Sequence, residues 1–479
     1  MKSFTIPLLI LLITLPLYIS KKEKSKKTSS NTDNLDLTFE GKKSGNKNYF
    51  TIPLKVGTPS RTFNVQVDTS VSTSWLPSIK CKNCIGTTNF YDETQSKTAF
   101  IKNNKEIELD DEDGDVEGYE TKDDFTIGEY TLKNFSFIQV TEVDEEEFRD
   151  HYEGKLGLGY RGEINKDFNF VSKLKYDKLI NKKIFSINQI NSKKGILSFG
   201  DVLPDDDEKY AFCNVTSGED LDDIYKESWV CDLTHVGIFE TDEISGKLDN
   251  YTLISNGKVD FDSAYDYIAV PISDRQIIDD LLIKAELDCV VSEKDYENIN
   301  KEKLITKYNE EEMDIFCNTT PDELAMKKLA LSFVLQGNVF SVPLELLFSE
   351  NENGKMEMLV KYINDNDAIW TFGYPFMSQY VMIFNMEDNH VGILANDKTK
   401  LDVISIDKEW NKWYDTYSNL FYKKINITTI VVIAVVLFCI LVLIVAFLII
   451  RAVKRRGIEA QNKFYEGNFE NNNDLRRVY

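Results

Sequence analysis

The chain has 479 residues, 42% of them apolar, and a formal charge of −23. That length and apolar share are enough for two lobes, each with a core of its own. The acidic balance excludes a nucleic-acid partner, which needs a basic footprint. Most of this charge reads as solvated surface, and it suits an acidic compartment, where protonation reduces self-repulsion.

In chain order, Met1 and Lys2 precede an apolar run over 4–19, and residues 1–20 read as a secretory signal peptide. Residues 21–45 are rich in Lys, Ser and Asn, lack apolar periodicity, and read as a flexible leader. From Tyr49 to about Asn396 the chain is strand-like, because many short Val, Ile, Phe and Tyr runs favour strands over a helical bundle. A local helical pattern falls at 277–287, carried by Ile277, Ile278, Leu281, Leu282 and Ala285. Residues 401–424, with Trp410, Trp413 and Tyr414, read as a short stalk. Within 425–450 lies an uncharged apolar run long enough to cross a hydrocarbon core of about 30 Å as a helix. Arg451, Lys454, Arg455 and Arg456 follow at once. The positive-inside rule then puts the tail 451–479 in the cytosol and everything before the span in the lumen, as in a single-pass membrane protein.

The cysteines sort by that topology. Cys81, Cys84, Cys213, Cys231, Cys289 and Cys317 precede the span, and Cys439 lies inside it. An even lumenal set favours three disulfides, with sequential pairing expected. Cys81 and Cys84 have redox CxxC spacing, but no thioredoxin-like βαβ pattern surrounds them, so a structural staple is the expectation. Asn134, Asn214, Asn250 and Asn318 each open an Asn-x-Ser/Thr sequon, in keeping with lumenal exposure. His151, His235 and His390 are scattered, so neither a metal nor a cofactor is expected.

Two segments carry the chemistry. Phe63, Val65 and Val67 alternate along a strand that runs into Asp68, Thr69 and Ser70, then through a hydroxyl-rich turn to Trp75, Leu76, Pro77 and Ser78. This resembles the first active-site loop of the pepsin-like aspartic peptidases, apolar-apolar-Asp-Thr-Gly-Ser-Ser followed by Trp-Val-Pro-Ser. Tyr49, Ile52, Gly57, Thr58 and Pro59 resemble the strands before that loop. Gly154, Lys155, Leu156, Gly157 and Leu158 resemble the family's Gly-Ile-Leu-Gly-Leu segment, which passes beneath the first aspartate. Trp370, Gly373, Phe376 and Tyr380, then Phe384, Asn385, Val391 and Gly392, resemble its closing strands. In the second half Val259, Asp260, Phe261, Asp262, Ser263 and Ala264 lead to Ile268, Ala269, Val270 and Pro271. The downstream residues set the register on Asp262. Asp260, two residues earlier and on the same side of an extended strand, competes for the position.

The resemblance covers about 49–396. It implies a mainly β, bilobal fold, with an N-terminal lobe over 46–205 and a C-terminal lobe over 206–400. It implies that Asp68 and Asp262 form a catalytic dyad sharing one proton, since two adjacent carboxylates cannot both ionise comfortably. Thr69 and Ser263 are then the hydroxyls that cross to the opposite lobe and clamp the loops. Several departures weaken the expected activity. Ser70 and Ala264 replace glycines that let the backbone approach a carboxylate closely. Val71 and Tyr265 replace hydroxyls that hydrogen-bond the outer carboxylate oxygen. Losing such a bond to a charged group costs about 1.5–3 kcal/mol, roughly ten- to a hundredfold in rate. The flap glycines align with Gly114 and Gly118, which places Asp111 where the family has its substrate-covering tyrosine. The short Lys/Ser/Asn stretch before Tyr49 offers no apolar pattern for an inhibitory prosegment.

Two functions fit. One is a membrane-anchored aspartic endopeptidase that hydrolyses polypeptides with the Asp68/Asp262 dyad in an endolysosomal, vacuolar or surface compartment. The other is an inactive pseudopeptidase that keeps the bilobal cleft as a peptide-binding or structural module.

Overall fold

The structure is a computed structural model whose described residues lie between Asn34 and Ile406. Short stretches are left out, the longer being 110–115, 144–152, 161–167, 204–209, 217–224, 292–311 and 364–368. The signal peptide, most of the stalk, the apolar span at 425–450 and the tail lie outside the described residues. Among those described, no helix is long and apolar enough to cross a membrane.

Among the described residues, the first half is built from ten strands. They are β1 (Asn34–Ser44), β2 (Lys47–Val56), β3 (Arg61–Asp68), β4 (Trp75–Lys82), β5 (Phe100–Leu109), β6 (Val116–Ile127), β7 (Tyr130–Val143), β8 (Lys155–Gly157), β9 (Ile184–Asn191) and β10 (Lys194–Gly200). β1 corrects an expectation, because residues 34–44 belong to the stretch read as a flexible leader. Leu35, Leu37 and Phe39 fall on alternate positions among charged and polar residues, and the strand pairs with β10 over 34–40 and with β2 over 40–44. Leu35 is buried. The intervening charges hid a period of two that pairing on both sides makes into a strand.

The second half contributes β11 (Ala211–Asn214), β12 (Val230–Glu240), β13 (Thr252–Leu253), β14 (Lys258–Phe261), β15 (Ile268–Pro271), β16 (Cys289–Val291), β17 (Glu312–Cys317), β18 (Leu329–Leu335) and β19 (Asn338–Pro343). Then come β20 (Phe348–Glu350), β21 (Met356–Ile363), β22 (Ile369–Phe372), β23 (Tyr380–Asn385), β24 (His390–Ala395) and β25 (Ile404–Ser405). Helix α1 spans Arg275–Lys284 and buries Ile277, Ile278, Leu281 and Leu282, so the helical pattern is real but ends earlier than 287. Glu286 takes φ +54°, which turns Leu287 out of the helix.

Two sheets organise these strands. One runs β16-β17-β21-β15-β22-β14-β12-β18-β19-β25 and belongs wholly to the second half. The other runs β11-β24-β23-β9-β10-β1-β2-β3-β8-β4-β7-β6-β5, so three second-half strands complete the sheet of the first half. Most neighbours are antiparallel, but β3 pairs in parallel with β8, and β14 with β22. These two parallel pairs end at Asp68 and just before Asp262. Buried aromatics pack between the halves, including Trp229 edge-on to Phe185. The described residues through Ser405 make one compact unit.

Candidate active site

Each aspartate loop is carried by a strand and braced from below by a glycine-bearing segment. Beside β3, Gly157 stands opposite Asp68, and the Leu158 amide donates to the Asp68 carbonyl at 2.7 Å. A Cβ on Gly159 would come within 2.6 Å of the Val71 carbonyl carbon, so only glycine allows that approach. In the second half, the Asp262 amide donates to the Phe372 carbonyl at 3.3 Å. A Cβ on Gly373 would meet the carbonyl oxygens of Tyr265 and Tyr267 at 2.4 Å.

The two loops are locked by a reciprocal crossing. Thr69 Oγ1 donates to the Phe261 carbonyl at 2.7 Å and accepts from the Ser263 amide at 2.9 Å. Ser263 Oγ donates to the Val67 carbonyl at 2.8 Å. A second seam lies beside it. Glu227 Oε2 accepts from the Ser72 amide at 2.9 Å and its hydroxyl at 2.6 Å. Ser228 Oγ donates to the Ser70 carbonyl at 3.3 Å, and Trp229 Nε1 to the Leu158 carbonyl at 3.0 Å.

Asp68 and Asp262 are both fully buried. Asp68 Oδ1 accepts from the Ser70 amide at 2.8 Å, the Ser70 hydroxyl at 2.7 Å and the Val71 amide at 3.3 Å. Asp262 Oδ1 accepts from the Ala264 amide at 2.7 Å. The substitutions are therefore better tolerated than the sequence suggests. Neither Ser70 nor Ala264 has left-handed backbone, so neither position demands glycine on conformational grounds. Ser70 also brings back a hydroxyl to Asp68 after Val71 has removed one, although it serves Oδ1.

The other oxygen of Asp68 meets a cation. Lys155 Nζ lies 3.1 Å from Asp68 Oδ2, with both side chains 1% exposed. A second acid lies close to Asp262. Asp260 is fully buried, and neither of its oxygens makes a hydrogen bond of normal geometry. Burial first, then the charges of Asp262 and Asp68, push its carboxyl well above the usual range, while Ser228 partly offsets this. Asp260 thus lies two residues before Asp262 as a second, fully buried acid.

The remaining site residues are more dispersed. Asp111 and Gly114 lie outside the described residues, between Leu109 and Val116, which pair across the β5–β6 hairpin. Gly118 is not a turn glycine: it sits inside β6 opposite Ile107, and a Cβ there would meet the Gln139 carbonyl oxygen at 2.4 Å. Trp75 is buried with Val116, Ile138 and Val140. Disulfides join Cys81 to Cys84, Cys213 to Cys231, and Cys289 to Cys317. Asn134, Asn214 and Asn318 are exposed, and Asn250 lies outside the described residues. Among the described residues, no three His, Cys, Asp or Glu side chains gather as a metal site would require.

Two buried aspartates on cross-bonded loops, at the ends of two parallel strand pairs, agree with the motif pattern, and a family model of eukaryotic aspartyl proteases matches residues 48–396. The chain belongs to that family. It is similar to vacuolar protease A of Neurospora crassa, 28% identical over 39% of this chain and 51% of that protein. It is also similar to plasmepsin IV of Plasmodium falciparum, 32% identical over 22% of this chain and 24% of that protein. Aspartic proteinase A3 of Arabidopsis thaliana is 30% identical over 32% of this chain and 31% of its own length. The chain matches about half or less of the length of each of these relatives.

Within the family frame, sequence reasoning missed Lys155 and the Glu227 seam. The signal for Lys155 was present, since a lysine stands where the Gly-Ile-Leu-Gly-Leu segment has an isoleucine.

Proposed function

We propose that this aspartyl protease-family protein is a membrane-anchored endopeptidase that hydrolyses polypeptides with Asp68 and Asp262. The observation that carries the reading is the reciprocal crossing of the Thr69 and Ser263 hydroxyls. It holds both aspartate loops together, and each carboxylate accepts a backbone amide. Such an arrangement suits general acid–base work on a water. The ionised carboxylate takes a proton from the water as its oxygen attacks the scissile carbonyl carbon. The protonated carboxyl gives its proton to the carbonyl oxygen, leaving a neutral tetrahedral diol. Collapse returns a proton to the leaving amine and breaks the C–N bond. The titration belongs to the pair.

The relatives named vacuolar proteases support an acidic vacuolar or endolysosomal lumen, and the apolar run in 425–450 supports the anchor. The buried cation on Asp68 favours the second reading, an inactive peptide-binding module. Full-length protein in detergent, incubated with unfolded protein substrate, decides between them. Cleavage between about pH 3 and 5, lost in both Asp68→Asn and Asp262→Asn, is expected. A folded, disulfide-bonded protein that cleaves nothing at any acidic pH leaves only the binding module.

A further inference from the structure

We propose that Asp260 is a specificity-determining residue: with Ser228 and Thr371 it forms an acidic floor beside the Asp68/Asp262 pair that receives a basic side chain, lysine or arginine, next to the scissile bond. The kinetic form of the proposal rests on the peptidase reading above; the place of the floor rests on geometry.

Asp260 and Asp262 lie two residues apart, so on extended backbone they face the same way, with Cα atoms about 6.5 Å apart. Phe261, between them, faces the other way and packs edge-on to Phe372 in the core. Across the sheet Asp260 stands opposite Val230 on β12 and Thr371 on β22, so those side chains share its face. Val230 packs with Tyr225 and Ile369. The face that carries Asp262 thus continues into an acid bordered by hydroxyls and apolar side chains. A basic residue fits it, with its aliphatic stem along the apolar border and its charged head on the carboxyl.

The acid has no cation of its own. Neither oxygen of Asp260 makes a hydrogen bond of normal geometry, and among the described residues no Lys or Arg forms an ion pair with it. A buried carboxyl served so poorly is costly to keep, and beside a reactive pair it marks a place for a ligand group. Its burial equals that of Asp68 and Asp262, which meet the substrate in the same reading.

The surrounding groups set a pH dependence. Burial, then the charges of Asp262 and Asp68, hold the Asp260 carboxyl high, and Ser228 lowers it. Lys155 pairs with Asp68, and Glu227 accepts from Ser72. Further back on the same face, Lys258 stands opposite Asp232. A substrate cation opposes the burial and the two acids, so its binding expels a proton from Asp260 and tightens as pH rises.

Reduced, alkylated serum albumin cleaved by the full-length protein should yield sites with Lys or Arg at one of the two residues flanking the scissile bond, as read by mass spectrometry. Peptides differing only in lysine or norleucine at that residue should differ in kcat/KM roughly tenfold or more. The gap should widen from about pH 4 to about pH 6 and close in Asp260→Asn. A gap that is absent, fails to widen or survives Asp260→Asn overturns the proposal. If nothing is cleaved, fluorescence anisotropy of labelled apolar octapeptides with one central lysine or norleucine gives the readout. A lysine preference lost in Asp260→Asn then means that the peptidase reading fails and the acidic floor stands. Equal binding of the two peptides means that both fail.

Discussion

Ser70 puts a hydroxyl 2.7 Å from Asp68 at a position where the family has glycine. Removing it should weaken the site, not restore it. Ser70→Ala and Ser70→Gly should each lower kcat/KM roughly ten- to a hundredfold at acidic pH, as befits one hydrogen bond to a charged group. A gain in either variant would show that the added bulk outweighs the bond. Asp260 gives a pH signature of stability. Its folded-state carboxyl is raised, so its contribution is fully present below the ordinary value of 3.8 and is lost as pH rises through the elevated one. Asp260→Asn should therefore gain thermal stability over the wild type progressively from acid to neutral pH, as read by melting temperature. A gap independent of pH would contradict this. At this scale, Asp68, Thr69, Asp262 and Ser263 were legible because each sits in a contiguous motif with its own spacing. Lys155 and the Ser70 hydroxyl were not, since their roles depend on which strands pair and which oxygen each donor reaches.

Among the elements, α1 shows what a pattern can and cannot give. Ile277, Ile278, Leu281 and Leu282 marked an apolar face, and that face is buried, but the end was set by a left-handed Glu286 that no periodicity foretells. Leu281→Ala should cost about 2–5 kcal/mol in chemical denaturation, because the side chain is fully buried in the main core. β1 was missed for the opposite reason: its alternation is visible only after its charged residues are read as one face of a paired strand. The Cys213–Cys231 disulfide joins β11 of the shared sheet to β12 of the second-half sheet. With a sequence separation of 18, its removal in Cys213→Ala/Cys231→Ala should lower stability by about 3 kcal/mol in the chain-entropy model. An unchanged denaturation midpoint would show that the sheets hold without it.

For the whole molecule, the mainly β family frame was legible because landmark motifs recur in a fixed order from Tyr49 to Gly392. What spacing could not show is that the halves share a sheet. β9 is bonded on one side to β10 and on the other to β23, so strands far apart in sequence complete one another. The expected topology has a direct check. Glycosidase treatment should shift the mobility of the cell-made protein through Asn134, Asn214 and Asn318, whereas external protease on intact vesicles should remove only the tail 451–479. The shared sheet also sets a clock during synthesis. Once Asn191 has emerged, the Ile184–Asn191 edge stays open until Tyr380–Asn385 arrives. At common elongation rates that wait is roughly ten to forty seconds. Throughout it, a nascent chain offers a bare strand edge to its neighbours, so the first half stays open to wrong pairing until the last strands are made.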